Sequence, residues 1–336
     1  MGILGWTRRD VPDLGGKTAL VTGANSGIGF ELTRQLVEHG AEVIMVGRSE
    51  QLVKWAARDL EEEFPGARLH PKTCDLEDPK QVDALAQDVL NSKMSIDILA
   101  CNAGRFLDAP FALSKGGFEQ QLASNFFGHC QLTLLPGSRI INVSSPAEQF
   151  GRVDLTDIKG TKAGTSGMLA YGRSKAMQIM WNHELQRRLR LARKDVDCFA
   201  VHPGLVSTGL TTKFDLSYPS ATASYIAMML IGQAPLQGAQ SSLYAATAPQ
   251  LRGKGGIYIG PQYTTNLFHA RERSAVNPAV YDYDARVKLF EATRDALSEA
   301  AGREMPTLPA VGAPIVGVNA GTETGPLAFD PALLLM

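Results

Sequence analysis

Tyr171 and Lys175 form a pair of side chains that could exchange a proton with a bound molecule. The segment around them has the pattern of a long helix, so a spacing of four residues places both on one face. A free tyrosine has a pKa of about 10, and a shift of about 3 units toward neutrality needs roughly 4 kcal/mol. A neighbouring ammonium group has the charge that lowers a tyrosine pKa. Such pairs are also common on amphipathic helices, so the pair indicates proton transfer only with support from other features.

A glycine-rich turn, Thr22–Gly29, follows a buried strand-like run and opens a helical pattern. Glycines at Gly23, Gly27 and Gly29 let the backbone turn tightly and approach a pyrophosphate closely. The helix that begins there offers free N–H groups and a positive dipole end to phosphates. A glycine-rich turn alone is a weak signal, but this position between a strand and a helix is typical of dinucleotide binding. A purely structural turn is the alternative.

Arg48 lies at the end of the second strand-like run and bears on the choice of cofactor. Sites for NAD usually carry an acidic residue about 20 positions after the glycines, where it binds the ribose 2′-hydroxyl. Counting from Gly27 reaches Gly47, and neither Gly47 nor Arg48 has a carboxylate. A guanidinium can bind a phosphate bidentately. We therefore expect NADP(H) as the cofactor; the alternative is that Arg48 is a solvated surface residue.

Strands and helices alternate along most of the chain. The predicted strands are Lys17–Thr22, Ala41–Val46, Leu69–Cys74, Ile96–Cys101, Arg139–Val143, Val196–Val201 and Gly256–Ile259. The predicted helices are Gly29–His39, Glu50–Glu63, Pro79–Leu90, Gly117–Leu135, Leu169–Leu191, Ala221–Leu230, Ala239–Ala248 and Ala285–Ala300. This alternation predicts an α/β fold: a single domain with a Rossmann-like, doubly wound parallel sheet.

The predicted boundaries divide the chain into an N-terminal arm (1–16), the Rossmann-like domain (17–304) and a flexible C-terminal tail (305–336). The tail is assigned because its Pro, Gly, Ala and Thr residues show no periodicity. Within the domain, the segments at about 147–168 and 205–235 are expected to form the substrate side. The second of these is rich in apolar residues, although core packing is the default role for many of them.

Composition excludes several functional classes. With 33 Lys+Arg and 34 Asp+Glu, the net charge of −1 argues against nucleic acid or an anionic membrane surface as the main partner. The four cysteines show no paired spacing, so we expect no metal site and reduced, buried thiols. The sequence has neither an apolar run of about 18 residues nor a signal peptide, which predicts no membrane span and a cytoplasmic location.

The order of motifs resembles that of the short-chain dehydrogenase/reductase family. The matching segments are the Thr22–Gly29 turn, Asp75-Leu76 (adenine contact), Asn102-Ala103-Gly104 (end of the fourth strand), Tyr171-x-x-x-Lys175, and Pro203-Gly204 with Thr208 (the segment around nicotinamide). These motifs span 17–210, and a weaker resemblance continues to about 300. Ile141–Ser145, a polar insert after it, and Gly255–Ile259 resemble the branch that contains retinol dehydrogenases and protochlorophyllide-reductase-like proteins.

The resemblance implies an NADP(H)-dependent oxidoreductase that moves a hydride between nicotinamide and a carbonyl or alcohol of an apolar small molecule. Tyr171 would be the general acid/base, and Lys175 would also hold the nicotinamide ribose. Ser145 would orient the substrate oxygen; it is preferred over Ser144 because strand side chains alternate and the family pattern favours the second serine. Asn125 would position a water for proton relay.

The same resemblance assigns a set of residues to cofactor binding. They are Gly23, Asn25, Ser26, Gly27, Ile28, Gly29, Arg48, Ser49, Asp75, Leu76, Asn102, Ala103, Gly104, Tyr171, Lys175, Pro203, Gly204, Val206 and Thr208. His202, which precedes this last segment, is more simply interpreted as a loop-packing residue than as a base. The alternative to an active enzyme is a catalytically weak, NADP-binding scaffold or regulatory protein with the same fold.

One segment departs from the family pattern. Only 13 residues separate Asn125 from Arg139, which is shorter than in relatives by roughly two helical turns. We expect this shortening to strain the start of the next strand or to alter a surface used for dimerisation. The sequence leaves a monomer and a homodimer both open.

Overall fold

The computed structural model describes residues 6–106, 111–134, 138–162, 167–206, 233–264 and 267–309, with the backbone alone for 262–264 and 267–269. Its strands are β1 (Thr18–Thr22), β2 (Glu42–Gly47), β3 (Leu69–Thr73), β4 (Ile98–Cys101), β5 (Arg139–Val143), β6 (Asp197–Val201), β7 (Tyr258–Thr264) and β8 (Leu267–Arg273). They form a single sheet in the order β3-β2-β1-β4-β5-β6-β7-β8. All neighbours in it are parallel except β7 and β8. This is the predicted doubly wound, Rossmann-like sheet.

Helices connect the strands and cover both faces of the sheet. They are α1 (Gly27–Glu38), α2 (Glu50–Glu63), α3 (Pro79–Asn91), α4 (Gln120–Leu122), α5 (Gly128–Leu132), α6 (Gly167–Leu191), α7 (Pro235–Thr247) and α8 (Tyr283–Ala301). A π-helical segment, Ala123–Phe127, joins α4 to α5. Short 3₁₀ helices lie at Arg8–Asp10, Pro146–Phe150, Pro249–Leu251 and Pro278–Tyr281.

Two hydrophobic cores lie on opposite faces of the sheet because successive strand residues point to opposite sides. One core lies between the sheet and α3, α6 and α8, and includes Leu20, Val82, Met177 and Phe290. The other lies between the sheet and α1, α2 and α7, and includes Val21, Leu36, Leu60 and Leu243. The central strands are buried on both sides, which is why they are near-continuous apolar runs in the sequence.

The predicted helices and strands within the described residues are present, with some differences at their ends. The helix predicted over Gly117–Leu135 begins instead at Gln120, contains the π-helical segment and ends at Leu132. The strand predicted over Gly256–Ile259 runs from Tyr258 to Thr264, and its antiparallel partner β8 was not predicted. The predicted helix Ala221–Leu230 lies outside the described residues.

The packed body extends a few residues beyond 305, where the predicted tail begins, and residues 310–336 of that tail lie outside the described residues. Met305 is 1% exposed and belongs to the core beneath α8. Arg188, which is also buried, donates a hydrogen bond from Nη1 to the Leu308 carbonyl at 3.2 Å. The folded body therefore continues to at least Leu308. The described part of the arm packs similarly, since Trp6 is buried with its ring centroid 5.1 Å from that of Tyr244.

The shortened connection after Asn125 does not distort the start of β5. Arg139 is in register with Ile98 of β4 and Asp197 of β6, and its N–H donates to the Asp97 carbonyl at 3.0 Å. Its guanidinium donates to the carbonyls of Ala245 and Ala248 at 3.1 and 2.8 Å. The expected strain is thus not found at this strand, and residues 135–137 lie outside the described part of the connection.

Candidate active site

The four predicted catalytic residues meet at the carboxyl edge of the sheet. Ser145 lies two residues after the end of β5, and Tyr171 and Lys175 lie in the first turns of α6. Asn125 lies in the π-helical segment before α5. Ligands of parallel α/β sheets bind at this edge, so the fold brings residues that are distant in sequence to the place where chemistry is expected.

The side-chain hydroxyl of Ser145 lies beside that of Tyr171, close enough to act on the tyrosine pKa. The ring of Phe106 packs edge-on against the tyrosine ring, with the centroids 5.6 Å apart. Ser145 Oγ also accepts a hydrogen bond from the Ala147 N–H at 3.2 Å, which fixes its side chain at the start of the short helix Pro146–Phe150. Ser144 instead donates to the Lys175 carbonyl at 2.9 Å. Ser145 is therefore the serine in contact with the tyrosine hydroxyl.

Lys175 is buried beside Tyr171, with Nζ 5.4 Å from the centre of the tyrosine ring. Its ammonium donates to the Val143 carbonyl at 2.9 Å. Burial lowers the pKa of Lys175 to about 7. Burial also raises the pKa of Tyr171 to about 12, while the Ser145 hydroxyl acts in the opposite direction. In the cofactor-free protein the Tyr171 pKa is thus shifted upward, because loss of water favours the neutral form of both groups. The lowering expected from a charged lysine and bound oxidised nicotinamide stays a prediction for the cofactor complex.

Asn125 is held by hydrogen bonds on both sides of its amide. Nδ2 donates to the Arg105 carbonyl at 3.0 Å and to Ser174 Oγ at 3.1 Å, and Oδ1 accepts from the Arg105 N–H at 2.8 Å. A Cβ on Gly104 would lie 3.7 Å from both Asn125 Oδ1 and Lys175 Nζ. The loop after β4, Asn125 and Lys175 therefore meet at one point. π-Helical turns of this kind are frequent at functional sites.

His129, which the sequence analysis did not single out, connects Asn125 to the glycine-rich turn. Nδ1 lies 3.0 Å from the Asn125 carbonyl oxygen, and Nε2 lies 2.9 Å from Thr22 Oγ1. Thr22 Oγ1 accepts the N–H groups of Asn102 and Ala103, both at 2.9 Å. Its own proton has two acceptors, the Ala100 carbonyl at 3.3 Å and His129 Nε2. Because the Asn125 carbonyl can only accept, the neutral ring carries its single proton on Nδ1, which donates to that carbonyl. Nε2 is then an acceptor for the Thr22 hydroxyl. Burial lowers the pKa of His129 to about 4, which keeps this histidine neutral.

The glycine-rich turn has the shape that a pyrophosphate needs. Gly23 and Gly27 have φ angles of +67° and +57°, which favour glycine. Ser26 makes no side-chain capping hydrogen bond, so the first N–H groups of α1 are left for a ligand. A Cβ on Gly29 would lie 2.3 Å from the Gly23 carbonyl oxygen. Close packing thus requires glycine at 29 with or without a cofactor.

The predicted adenosine-binding residues surround Glu77, a carboxylate that the sequence analysis missed. Arg48 is 62% exposed and its Nη1 lies 3.8 Å from Glu77 Oε1. Arg105 forms a second ion pair with the same oxygen. Asp75 Oδ1 accepts the Glu77 N–H at 3.1 Å. Leu76 is buried, and its carbonyl oxygen would lie 2.4 Å from a Cβ on Gly128.

Ser49 and Asn25, two further residues predicted to bind the cofactor, have structural contacts in the loops after β2 and β1. Ser49 caps α2, since its Oγ accepts the Leu52 N–H at 3.4 Å. A Cβ on Gly47 would lie 2.7 Å from Asn25 Oδ1, so the glycine leaves room for Asn25 against the end of β2.

The predicted nicotinamide end lies after β6. Gly204 has a φ of +82°. Val206 and Ile28 both pack against Gly238 of α7: a Cβ on this glycine would lie 2.6 Å from the Val206 side chain and 3.2 Å from the Ile28 side chain. His202 Nδ1 accepts the Gly204 N–H at 3.2 Å, and burial lowers the pKa of His202 to about 4. This is the geometry of a loop-packing histidine. Thr208 lies outside the described residues, as do 163–166 and 207–232 of the predicted substrate side.

The described residues offer no sign of metal or disulfide chemistry. The part of the chain that the structure describes holds no cluster of His, Cys, Asp or Glu suited to a metal ion. The four cysteines, Cys74, Cys101, Cys130 and Cys198, are buried and unpaired. Among the helices described, none has the length and apolar character required to cross a membrane.

Comparison with known proteins gives consistent matches. The family model described as short chain dehydrogenase matches residues 17–218. Retinol dehydrogenase 14 of Mus musculus is 34% identical over an alignment of 263 residues that covers 73% of this chain and 78% of the relative. Polyprenol dehydrogenase of Danio rerio is 32% identical, over 74% of this chain and 80% of the relative. The crystal structure of an uncharacterized protein from Mycobacterium paratuberculosis superposes with a TM-score of 0.71 at 30% identity, covering 90% of this chain and all of that one.

Proposed function

The chain belongs to the short-chain dehydrogenase family, in its retinol dehydrogenase-like branch, and is an oxidoreductase; we propose that it transfers a hydride between NADP(H) and a carbonyl or alcohol of an apolar small molecule, with Tyr171 as the general acid/base. The observation that carries this proposal is the contact of Tyr171 with Ser145 beside Lys175, at the sheet edge that also holds the glycine-rich turn.

Each residue of this group has a role in reduction that follows from its position. Bound NADPH would supply the hydride. Tyr171 keeps its proton at neutral pH, because burial raises its pKa, and can donate that proton to the oxygen of the reduced carbonyl. Ser145, whose hydroxyl contacts the tyrosine hydroxyl, can orient the same oxygen. Lys175 has a pKa of about 7 and can return a proton to the site, and Asn125, which lies close to it, can position a water for that transfer.

The choice of NADP(H) rests on Arg48. Its guanidinium is largely exposed at the end of β2, one strand from the glycine-rich turn that follows β1. An exposed guanidinium there can bind a ribose 2′-phosphate, and no acidic residue occupies position 47 or 48 to bind a 2′-hydroxyl. The glycine-rich turn and the start of α1 fit the pyrophosphate of the same cofactor.

Two observations support an apolar substrate. Four large apolar side chains are exposed within a few residues of the site in sequence: Phe150, Met168, Leu169 and Leu205. Two relatives carry names that specify apolar alcohols, retinol and polyprenol. Exposed apolar side chains around a site favour ligands of this kind. The cytoplasmic location stays a prediction of the sequence.

The alternative of a catalytically weak scaffold was motivated by the shortened connection and the atypical C-terminal segment. The regular register of β5 at Arg139 speaks against the strain expected from the shortened connection. The second motive loses weight because Met305 and Leu308 belong to the packed body. We therefore favour the active enzyme.

Replacing Arg48 with Asp tests the proposed cofactor. Arg48→Asp removes a phosphate partner and adds repulsion, so the preference for NADPH over NADH should fall at least tenfold, about 1.4 kcal/mol. The measurement is the Kd of each cofactor, followed by NADPH and NADH consumption with retinal, quinones, steroids and long aliphatic aldehydes.

The matched control is Arg252→Asp, which makes the same charge change at an exposed arginine beyond α7, paired with exposed Asp195. This control should leave the preference unchanged. Equal affinities for NADPH and NADH in the unmodified protein would contradict the cofactor assignment.

A further inference from the structure

Three charged side chains meet where the adenosine half of the cofactor is proposed to bind. Glu77 is mostly enclosed, with 12% of its side chain exposed, and Oε1 receives two guanidinium groups. One is Arg105, which is 22% exposed and hydrogen-bonded to this oxygen. The other is Arg48, which is 62% exposed and lies at 3.8 Å. The close partner of Glu77 is therefore Arg105, while Arg48 stays only loosely engaged.

The three residues come from the ends of three different strands. Arg48 follows β2, Glu77 follows β3, and Arg105 follows β4. In the sheet order β3-β2-β1-β4, these ends lie on both sides of β1 and its glycine-rich turn. The cluster thus spans the edge at which a dinucleotide would cross the sheet.

The backbones of Glu77 and Arg105 are fixed by other contacts. The Glu77 N–H donates to Asp75 Oδ1, and the N–H and carbonyl of Arg105 are both hydrogen-bonded to the Asn125 amide. Their side chains consequently start from defined positions, and the pairing needs no rearrangement of either loop. Asp78, the next carboxylate in the chain, is engaged by Lys115 at 3.1 Å.

This arrangement matters because Glu77 and a 2′-phosphate compete for Arg48. Without another cation, an enclosed carboxylate would draw the Arg48 guanidinium and repel the phosphate. With Arg105 bound to it, Glu77 already has a close partner, and Arg48 remains available. NADPH differs from NADH only by the 2′-phosphate, so a change in this balance affects NADPH far more than NADH.

We propose that Arg105 is a specificity-determining residue for NADP(H): it binds Glu77 and thereby leaves Arg48 for the 2′-phosphate. The proposal rests on the proposed function, since it explains a preference that the cofactor assignment assumes. The sequence analysis did not find this role, because Glu77 and Arg105 are 28 residues apart and no motif links them.

The test compares the Kd values of NADPH and NADH in the unmodified protein and four variants. Arg105→Met keeps an apolar stem and removes the charge, and should lower the NADPH preference at least fivefold while the Kd for NADH changes less than twofold. Arg105→Lys should retain part of the preference. The double variant Arg105→Met/Glu77→Gln should recover it, because the competing carboxylate is gone as well. The control Lys115→Met removes an exposed cation from the neighbouring pair and should change the preference less than twofold.

The outcomes separate this inference from the proposed function. If the unmodified protein prefers NADPH and Arg105→Met keeps that preference, the role of Arg105 is overturned while the cofactor assignment stands. If Arg105→Met weakens both cofactors equally and Glu77→Gln gives no recovery, Arg105 only supports the loop, which also overturns the proposal. If the unmodified protein shows no preference, the cofactor assignment itself fails.

Discussion

Lys175 is buried beside Tyr171, which is partly exposed, and loss of water favours the neutral form of each. The pKa of Tyr171 rises to about 12 and that of Lys175 falls to about 7. A tyrosine that keeps its proton suits the donor in a reduction. A lysine that titrates near neutrality suits the group that replaces the proton. The two opposite shifts have one cause, the removal of water from the edge of the sheet.

The Lys175 shift predicts how stability depends on pH. Between pH 7 and about 10 the unfolded chain holds a proton on this lysine that the folded cofactor-free protein has released, so the free energy of unfolding should rise with pH in that window. The slope should reach about 1.4 kcal/mol per pH unit. Urea denaturation at pH 7, 8 and 9 measures it. Lys175→Met should lack this rise, whereas Lys115→Met should keep it. If the free energy of unfolding rises equally with pH in the unmodified protein and in Lys175→Met, the lowered pKa of Lys175 is refuted.

The sequence could identify residues that belong to local motifs but not those that act through a distant partner. Tyr171 and Lys175 are four residues apart, and Ser145 ends a strand pattern, so their proximity follows from an ordinary α/β topology. His129 lies four residues after Asn125, a spacing that could have drawn attention to it. Its second partner, Thr22, is 107 residues away, as the fold alone reveals. Glu77 and Arg105 were missed for the same reason.

At the scale of elements, the segment from Gln120 to Leu132 positions Asn125, one of the proposed catalytic residues. The π-helical turn at Ala123–Phe127 lies within it, and His129 one turn later bonds the Asn125 carbonyl to the glycine-rich turn through Thr22. This segment thereby connects the proposed catalytic residues to the glycine-rich turn, where the cofactor is proposed to bind.

His129 variants test whether this connection holds Asn125 in place. His129→Leu leaves the Asn125 carbonyl and the Thr22 hydroxyl without this partner, which should cost about 1–3 kcal/mol of stability. Turnover should also fall at least fivefold. His129→Gln can still donate and accept, and should retain more of both. Urea denaturation and steady-state NADPH oxidation measure the two effects. Equal turnover in the Leu, Gln and unmodified proteins would show that the connection is not needed for catalysis.

Buried strands could be predicted because they are continuous apolar runs between turn residues, and parallel sheets require such runs. The edge strand β8 could not be predicted. Its sequence, Leu267–Arg273, ends in charged residues, and no strand among the described residues pairs with its outer side. Charged residues on an edge strand hinder pairing with other chains, and they also hide the strand pattern. The π-helical turn has no sequence signature of its own.

At the scale of the whole molecule, residues before β1 and after α8 pack into the two hydrophobic cores. Trp6 covers one core beside α7, and Met305 covers the other beneath α8. Arg188 is 1% exposed, pairs with Glu184 and Glu291 at 2.7 and 2.6 Å, and donates to the Leu308 carbonyl. The residues just after α8 are thus part of the structure that holds α6, the helix of Tyr171 and Lys175.

Two truncations test where the body ends. Removing everything after Arg303 deletes buried Met305 and the Leu308 acceptor of Arg188, and should lower stability by about 2–5 kcal/mol. Removing everything after Pro309 keeps all these contacts and should leave stability and turnover nearly unchanged. Thermal or urea unfolding compares the two proteins. Equal stability in both would show that residues 304–309 add little to the fold.

The most direct test of the proposed mechanism is single-turnover reduction by prebound NADPH in Tyr171→Phe. The substitution removes only the hydroxyl, so the ring keeps its packing against Phe106 and the Kd for NADPH should change less than threefold. Because general acid catalysis contributes about 10²–10⁴ in rate, the rate of reduction of the best carbonyl in the panel should fall at least a hundredfold. Tyr283→Phe, at an exposed tyrosine of α8, should react at the unmodified rate. A Tyr171→Phe rate within a few-fold of the unmodified protein would contradict the account, because the proton would then come from another group.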